Sequence, residues 1–291
     1  MGRRNGMQVR YLVAWNDHYR DSSQQRFRAV KKNAVKLALR EGRTVWGTWV
    51  TIPDDRVVRI LAEIGFDWVT VDMEHTALDW SQVDRLVGWA IDAGTTPLVR
   101  VPAGDPVYIK RALDLGAFGL VIPMVESAEQ ARQIIAASQY PPQGSRSAAA
   151  ANHYRRFQTT LEKYLAAANE QIMIVLQIES PAGVEEASNI AGIPGCDALL
   201  IGPLDLACRL CKPPQRLPQA SKEDFEAAVE KVIEAGRQRH CPTGFHARTV
   251  DEAQHWAARG MQLLAVSNDL TFLATQAGDV LHRLKSGIGR G

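Results

Sequence analysis

Residues 68–101 read WVTVDMEHTALDWSQVDRLVGWAIDAGTTPLVRV, and this stretch sets the architecture. Trp68–Asp72 and Thr96–Val101 are near-continuous apolar, β-branched runs, the pattern of strands buried on both faces of a parallel sheet. Between them Ser81–Ala93 places Val83, Leu86, Val87, Ala90 and Ile91 at helical spacing. Strand, helix and strand within about thirty residues make one β–α–β unit.

The unit recurs along the chain. Further strand candidates are Thr44–Val50, Gly119–Met124, Ile172–Glu179, Ala198–Gly202, Thr243–His246 and Leu263–Ser267. Helical patterns separate them at Asp55–Ile64, Val107–Leu115, Ala128–Ser138, Ala182–Ile190, Lys222–Gln238 and Val250–Arg259, with Asp269–Lys285 closing the chain. Eight strands in regular alternation with helices predict an α/β fold, the closed (β/α)₈ TIM barrel, over an open doubly wound sheet. Lys31–Gly42 reads as an extra N-terminal helix covering the bottom opening. Ser81 and Ser221 stand as N-caps with Asp84 and Asp224 three residues on, and Gly116 and Gly236 as left-handed helix ends. The longest connection, Tyr140–Glu170, is expected to carry a short helix at Leu161–Ala168 and to sit, lid-like, on the strand-exit side.

A chain of 291 residues, 46% apolar and 23% charged, can bury one large core. The expected organisation is one barrel domain over 33–291 preceded by a basic, poorly ordered extension over 1–32, where eight Arg and Lys residues face only Asp17 and Asp21. A net charge of +2 gives no reason to invoke nucleic acid. Neither a signal peptide nor a membrane-spanning stretch is expected, which predicts a cytoplasmic protein. Of the four cysteines only Cys208 and Cys211 form a C-x-x-C; a zinc site would need His240 and Cys241 as a second pair, and reduced cysteines are the plainer reading.

Barrel enzymes carry their chemistry at the C-terminal strand ends. There the chain places Asp72, Glu74 and His75, then Arg100, then Gln177 and Glu179. Next come Gly202-Pro203-Leu204-Asp205, His246, and Ser267-Asn268-Asp269. Glu179 and Asp205, on neighbouring exits, are the donors a hard divalent cation uses, although rim carboxylates paired to bases would look the same. His75 suits a general base near neutral pH, and Arg100 a fixed cation beside a developing oxyanion.

The segments Phe66–His75 (FDWVTVDMEH), Val99-Arg100-Val101-Pro102, Leu176-Gln177-Ile178-Glu179 and Ile201–Leu206 (IGPLDL) resemble, in order and spacing, the HpcH/HpaI family of class II 2-keto-3-deoxy acid aldolases. The resemblance spans roughly Asn33 to Leu284. It implies a barrel of the phosphoenolpyruvate/pyruvate type and reversible retro-aldol cleavage of a 4-hydroxy-2-oxo acid, of the keto-deoxy sugar acid or 4-hydroxy-2-oxoheptanedioate type, to pyruvate and an aldehyde. It also implies a divalent metal, Mg²⁺, Mn²⁺ or Co²⁺, on Glu179 and Asp205. Gln177, with Gly202 and Pro203, would hold pyruvate; Arg100 would bind the keto oxygen and stabilise the enolate; His75 would act as base, oriented by Asp114. Asp72 and Glu74 fall at supporting positions. A homo-oligomer, trimer or hexamer, with sites near subunit contacts is implied as well.

The chain departs from the family's glycine-rich pattern at Gly144–Ala149, where Arg146 remains a candidate for substrate contact, and again at Ala207–Cys211. A Schiff-base mechanism needs a buried lysine on a barrel strand, and none of the eight runs contains one. An acyl-CoA lyase related to citrate lyase or malyl-CoA lyase would share the arginine, glutamate and aspartate, and the Glu74-His75 pair argues against it. A metal-dependent hydrolase would draw more histidines than His75 and His246 to strand ends, and a non-catalytic binding protein would be expected to lose members of the set.

Overall fold

The computed structural model describes residues 30–148, 153–211 and 220–288. Of the basic segment expected over 1–32, residues 1–29 lie outside the described residues. Eight strands, β1 (Val45–Val50), β2 (Trp68–Asp72), β3 (Thr96–Arg100), β4 (Gly119–Ile122), β5 (Met173–Ile178), β6 (Ala198–Ile201), β7 (Thr243–Ala247) and β8 (Leu263–Asn268), pair in sequence order and close β8 onto β1. Every pair is parallel. The anticipated runs all form strands, shifted at their ends by at most two residues.

Strand periodicity divides the core in two. Trp49, Trp68, Leu98, Val121, Met173, Val175, Leu200 and Leu263 point into the barrel, while Val69, Val71, Leu120, Ile174 and Leu199 face the helices outside. Helix α1 (Ala34–Arg40) plugs the lower mouth, as expected, by setting Val35, Ala38 and Leu39 against the interior set. Burying Val35 or Leu39 stabilises the fold by roughly 1.5–3 kcal/mol each before chain entropy is counted, and the Ala38 methyl by less. The Asn33 cap accepts from the Lys36 amide at 3.0 Å and donates to the carbonyls of Phe118 (2.8 Å) and Gln171 (3.0 Å), which ties α1 to the loops beneath β4 and β5. Lys36 is a buried lysine, but it is engaged at this lower end with Asp197 (2.9 Å).

The barrel helices are α2 (Asp55–Ile64), α3 (Trp80–Ala93), α4 (Pro106–Asp114), α5 (Ala128–Ser138), α6 (His153–Arg156), α7 (Leu161–Gln171), α8 (Pro181–Ala191), α9 (Pro203–Leu210), α10 (Lys222–Arg239), α11 (Val250–Ala258) and α12 (Asp269–Ile288). Ser221 caps α10 as anticipated. Ser81 does not cap α3. Asp79 does, in a reciprocal box with Gln82, because Trp80 already has helical backbone and Ser81 falls inside the first turn. Gly116 has φ of 91° just past α4. Gly236 instead lies within α10, where a β-carbon would collide with Thr243 and the Cys241 carbonyl; His240 takes the left-handed cap with φ of 53°.

The long connection is also misplaced by the sequence reading. It runs from α5 to β5, so α6 and α7 pack at the lower, N-terminal end of the strands and cannot form a lid over the upper mouth. Cys208 and Cys211 belong to α9 and its cap above the barrel, whereas Cys241 precedes β7 below it and lies against Cys196, Sγ to Sγ 3.8 Å. The two pairs cannot share a zinc ion. Among the described residues no helix is long and apolar enough to cross a membrane.

Candidate active site

Parallel strands bring the chemistry-bearing residues together at the upper mouth. The β2–β3 register sets Asp72 opposite Arg100, and their side chains form a two-point ion pair, Nε to Oδ1 at 2.8 Å and Nη2 to Oδ2 at 2.7 Å. Both side chains are at most 10% exposed, so neither charge could stand unpaired there without a large desolvation cost. The third guanidinium nitrogen, Nη1, faces Glu74 Oε2 at 3.2 Å. Beneath the guanidinium lies the Trp49 indole, 4.2 Å from its centroid. Asp72 Oδ1 also accepts the Glu74 amide (3.0 Å), which shapes the turn leaving β2 and leads to His75. His75 stands at the solvent edge, 59% exposed, with Nε2 3.6 Å from Glu74.

Glu179 is buried at the β5 exit. Its Oε1 accepts the Met124 amide at 2.7 Å and its Oε2 accepts Gln177 Nε2. Met124 holds a left-handed backbone, φ of 57°, which aims that amide inward. Because Nε2 serves Glu179, the other end of the Gln177 amide is an acceptor, and this buried Oε1 has no hydrogen-bond partner among the described residues. Burial raises the Glu179 carboxyl above its usual range; the Met124 and Gln177 bonds oppose the shift, and repulsion from Glu74 and Asp205 adds to it. Burial likewise raises Glu74, with Arg100 opposing and Asp72 and Asp205 adding repulsion.

Asp205 arrives by a route the sequence reading did not foresee. The β6 exit turns directly into α9, with Gly202 as cap, Pro203 in the first turn and Asp205 two residues on. Proline is pre-organised for that position. Gly202 passes so close to Glu179 and Gln177 that a β-carbon would overlap Oε2 of one and Nε2 of the other.

The resulting site holds three mutually repelling carboxylates, Glu74, Glu179 and Asp205, while its arginine is already shared between Asp72 and Glu74. That excess of hard oxygen donors fits a divalent cation. Among the described residues no three His, Cys, Asp or Glu side chains form a ready cage. Two carboxylates, completed by water and substrate oxygens, are the mode Mg²⁺ commonly uses.

Two anticipated residues are not brought to this mouth. Asp114 ends α4 at the lower side of the barrel and binds Arg146 Nη2 at 2.8 Å. Arg146 is buried there over the Tyr140 ring (4.5 Å), with Tyr164 Oη at 3.4 Å, so within one chain it is a structural cation and not a contact to this pocket. Asp269, read as a strand-end polar residue, clamps the barrel closure by accepting Thr51 N, Thr51 Oγ1 and Ile52 N at 2.6–3.0 Å. Trp49 was missed: its signal, an inward position near the end of β1, emerges only once the strand's phase is known. The Met124 amide is backbone and leaves no mark in the sequence.

A family model described as HpcH/HpaI aldolase/citrate lyase matches residues 46–275. The chain is 34% identical over 239 residues to the 2-dehydro-3,6-dideoxy-6-sulfogluconate aldolase of Pseudomonas putida, covering 82% of this chain and 92% of that one. It is 33% identical over 254 residues to the hydroxypyruvate/pyruvate aldolase of Roseovarius nubinhibens, covering 87% and 97%. The crystal structure of an HpcH/HpaI aldolase/citrate lyase family protein from Burkholderia cenocepacia superposes with a TM-score of 0.81 at 31% identity, over 87% of this chain and all of that one.

Proposed function

The chain belongs to the HpcH/HpaI aldolase/citrate lyase family and is an aldolase, a carbon–carbon lyase, and we propose that it is divalent-metal-dependent and cleaves a 4-hydroxy-2-oxo acid reversibly to pyruvate and an aldehyde at the upper mouth. The observation that carries this reading is the two-sided site, with an Arg100 fork on one side and the repelling carboxylates Glu179, Asp205 and Glu74 on the other.

When bound by Glu179 and Asp205, a divalent cation supplies Lewis acidity toward a 2-keto acid and compensates its charge. Arg100 does related work as a preorganised cation: Asp72 holds its plane and Trp49 supports it from below, so Nη1, beside Glu74, is held ready to donate to a keto oxygen without reorganising the site. Gln177 keeps Glu179 oriented with Nε2. Its unpartnered Oε1 can accept one more bond from a bound hydroxyl or water. His75 Nε2 lies 3.6 Å from the Glu74 carboxylate at the edge of the site, and an imidazole in that place can take a proton from the 4-hydroxyl during cleavage and return it during condensation. The exposure of His75 puts this exchange at the outer, solvent edge of the pocket.

Asp114 and His75 stand at opposite ends of one barrel. The orienting role proposed for Asp114 therefore needs a second copy of the chain to bring its lower end to this upper mouth, and a homo-oligomer, trimer or hexamer, is part of the reading. Helix α12 supports it. After its contacts with β1 and β8 it leaves Leu273, Leu281 and Leu284 between 52% and 61% exposed, an apolar face that a monomer would hold in water.

Activity is tested by supplying 4-hydroxy-2-oxo acids to the purified protein and following pyruvate release through a coupled reductase. Release that stops on chelation and returns with Mg²⁺, Mn²⁺ or Co²⁺, without coenzyme A, is expected. Turnover that depends on coenzyme A would replace this reading with the acyl-CoA lyase one.

A further inference from the structure

His246 takes no part in the steps above, yet it is built into the floor of the same pocket. It lies in β7, and its ring packs at 44° against the Trp49 indole, 5.0 Å between centroids. Arg100 covers that same indole. His246 Nε2 is 3.1 Å from the carbonyl of Ser267, whose left-handed backbone (φ of 54°) turns the oxygen inward. A carbonyl oxygen only accepts, so Nε2 carries the hydrogen and Nδ1 of the neutral ring is left as a bare acceptor. Burial holds the ring neutral by lowering its pKa to about 4, with the Ser267 bond opposing the shift, Arg100 adding to it and Asp72 opposing it. Nδ1 has no hydrogen-bond partner among the described residues, and it is not among the buried polar atoms lacking one. The His246 side chain is partly exposed at the upper mouth, which leaves Nδ1 accessible there.

From this arrangement we infer that His246 is a specificity residue whose Nδ1 accepts the hydrogen of a hydroxyl on the carbon next to the keto group, so that the site takes a 3-hydroxy-2-keto acid as nucleophile alongside pyruvate and in preference to it. The inference rests on the aldolase reading above. The keto acid, and not the aldehyde, is its object because His246 shares the inner floor with Arg100, whereas the proton-transfer edge at His75 faces solvent. Pyruvate, with a methyl group at that position, leaves Nδ1 unmatched, and a polar site that loses its partner discriminates more strongly than an apolar pocket does.

The test compares hydrogen–deuterium exchange at C3 of hydroxypyruvate and of pyruvate, followed by NMR with the full chain supplied with Mg²⁺. Two variants are used. His246→Phe keeps a ring on Trp49 but lacks the acceptor; His246→Asn keeps an acceptor oxygen near the Nδ1 position. The expected result is a fall of roughly tenfold or more in the hydroxypyruvate-to-pyruvate ratio of kcat/KM for His246→Phe, partly restored in His246→Asn. In the wild-type protein, the ¹⁵N resonance of His246 Nδ1 should move on binding hydroxypyruvate and stay in place with pyruvate, a readout that does not depend on the variants folding. An unchanged ratio in His246→Phe, or an Nδ1 resonance indifferent to both ligands, overturns the inference. If wild-type protein exchanges neither substrate, the aldolase reading itself has failed.

Discussion

Arg100 and Asp72 meet fork to fork across neighbouring strands, and this pair is the hinge between fold and chemistry. The parallel register makes the contact, and the contact fixes the guanidinium plane over Trp49. Arg100→Lys retains a charge but cannot make two parallel bonds. We expect kcat for pyruvate release to fall by about a hundredfold or more, the scale on which one preorganised oxyanion donor is lost, with far-ultraviolet circular dichroism unchanged. A variant within threefold of wild type would remove Arg100 from the charge-compensating role.

Removing a carboxylate should separate metal binding from folding. Glu179→Ala deletes a buried, repelled carboxylate, so it should abolish metal-dependent turnover and weaken Mn²⁺ binding in calorimetry while leaving the thermal midpoint equal to or above that of the metal-free wild type. Full activity in this variant would eliminate the proposed metal site.

Gly202 tests the same site through the backbone. A methyl group there would displace Glu179 Oε2 and Gln177 Nε2, so Gly202→Ala should cost activity at least tenfold by moving two ligating or positioning groups at once. Because φ at Gly202 is −92°, ordinary for any residue, the loss should come without backbone strain, and the variant should express and fold normally.

How much of this could be read from the chain alone depended on whether a feature was local. Apolar runs such as Val69–Val71 and Leu199–Ile201 were legible because strands buried on both faces leave no alternation, and the strand-end polar residues followed from the barrel rule. Asp79 was missed as the α3 cap because Ser81 offered an equally good local pattern; the helix begins at Trp80, where Asp79 and Gln82 close a reciprocal box. The α9 helix was not anticipated because eight residues beginning Pro203-Leu204-Asp205 carry too short a periodicity to distinguish a helix from a turn. Asp114, at the C-terminus of α4, falls at the lower end of its own barrel, and nothing in the local sequence says which copy's mouth it faces. The Asp72–Arg100 register and the Trp49 floor are long-range results of closing β8 onto β1, and no spacing along the sequence encodes them.

Stability should fall in mild acid through His153. This ring is buried against Tyr140 and Tyr164 at the lower end, and burial, with Arg146 adding, lowers its pKa from 6.5 to about 4. The unfolded chain therefore binds a proton that the folded one refuses. Stability is fully present above pH 6.5, declines as pH falls from there toward 4, and loses on the order of 2–3 kcal/mol by the end of that window. Urea midpoints should show this slope in wild type and a shallower one in His153→Phe. Equal slopes would mean that His153 titrates normally.

Assembly has its own test in the exposed face of α12. Leu281→Glu combined with Leu284→Glu should shift the sedimentation coefficient toward that of the monomer and lower activity with it, since the site is proposed to need a second copy. An unchanged particle size would disconnect this helix from assembly.

The central claim is that the upper mouth labilises the methyl protons of pyruvate with a divalent cation on Glu179 and Asp205. The most direct measurement is NMR of pyruvate in deuterated water with chelator-stripped protein, before and after adding Mg²⁺, Mn²⁺ or Co²⁺, which needs no aldehyde. The account predicts no exchange above background without metal, and loss of the methyl proton signal on adding metal in wild type but not in Glu179→Ala. Exchange at the same rate in stripped protein, or none with any of the three metals, would contradict it.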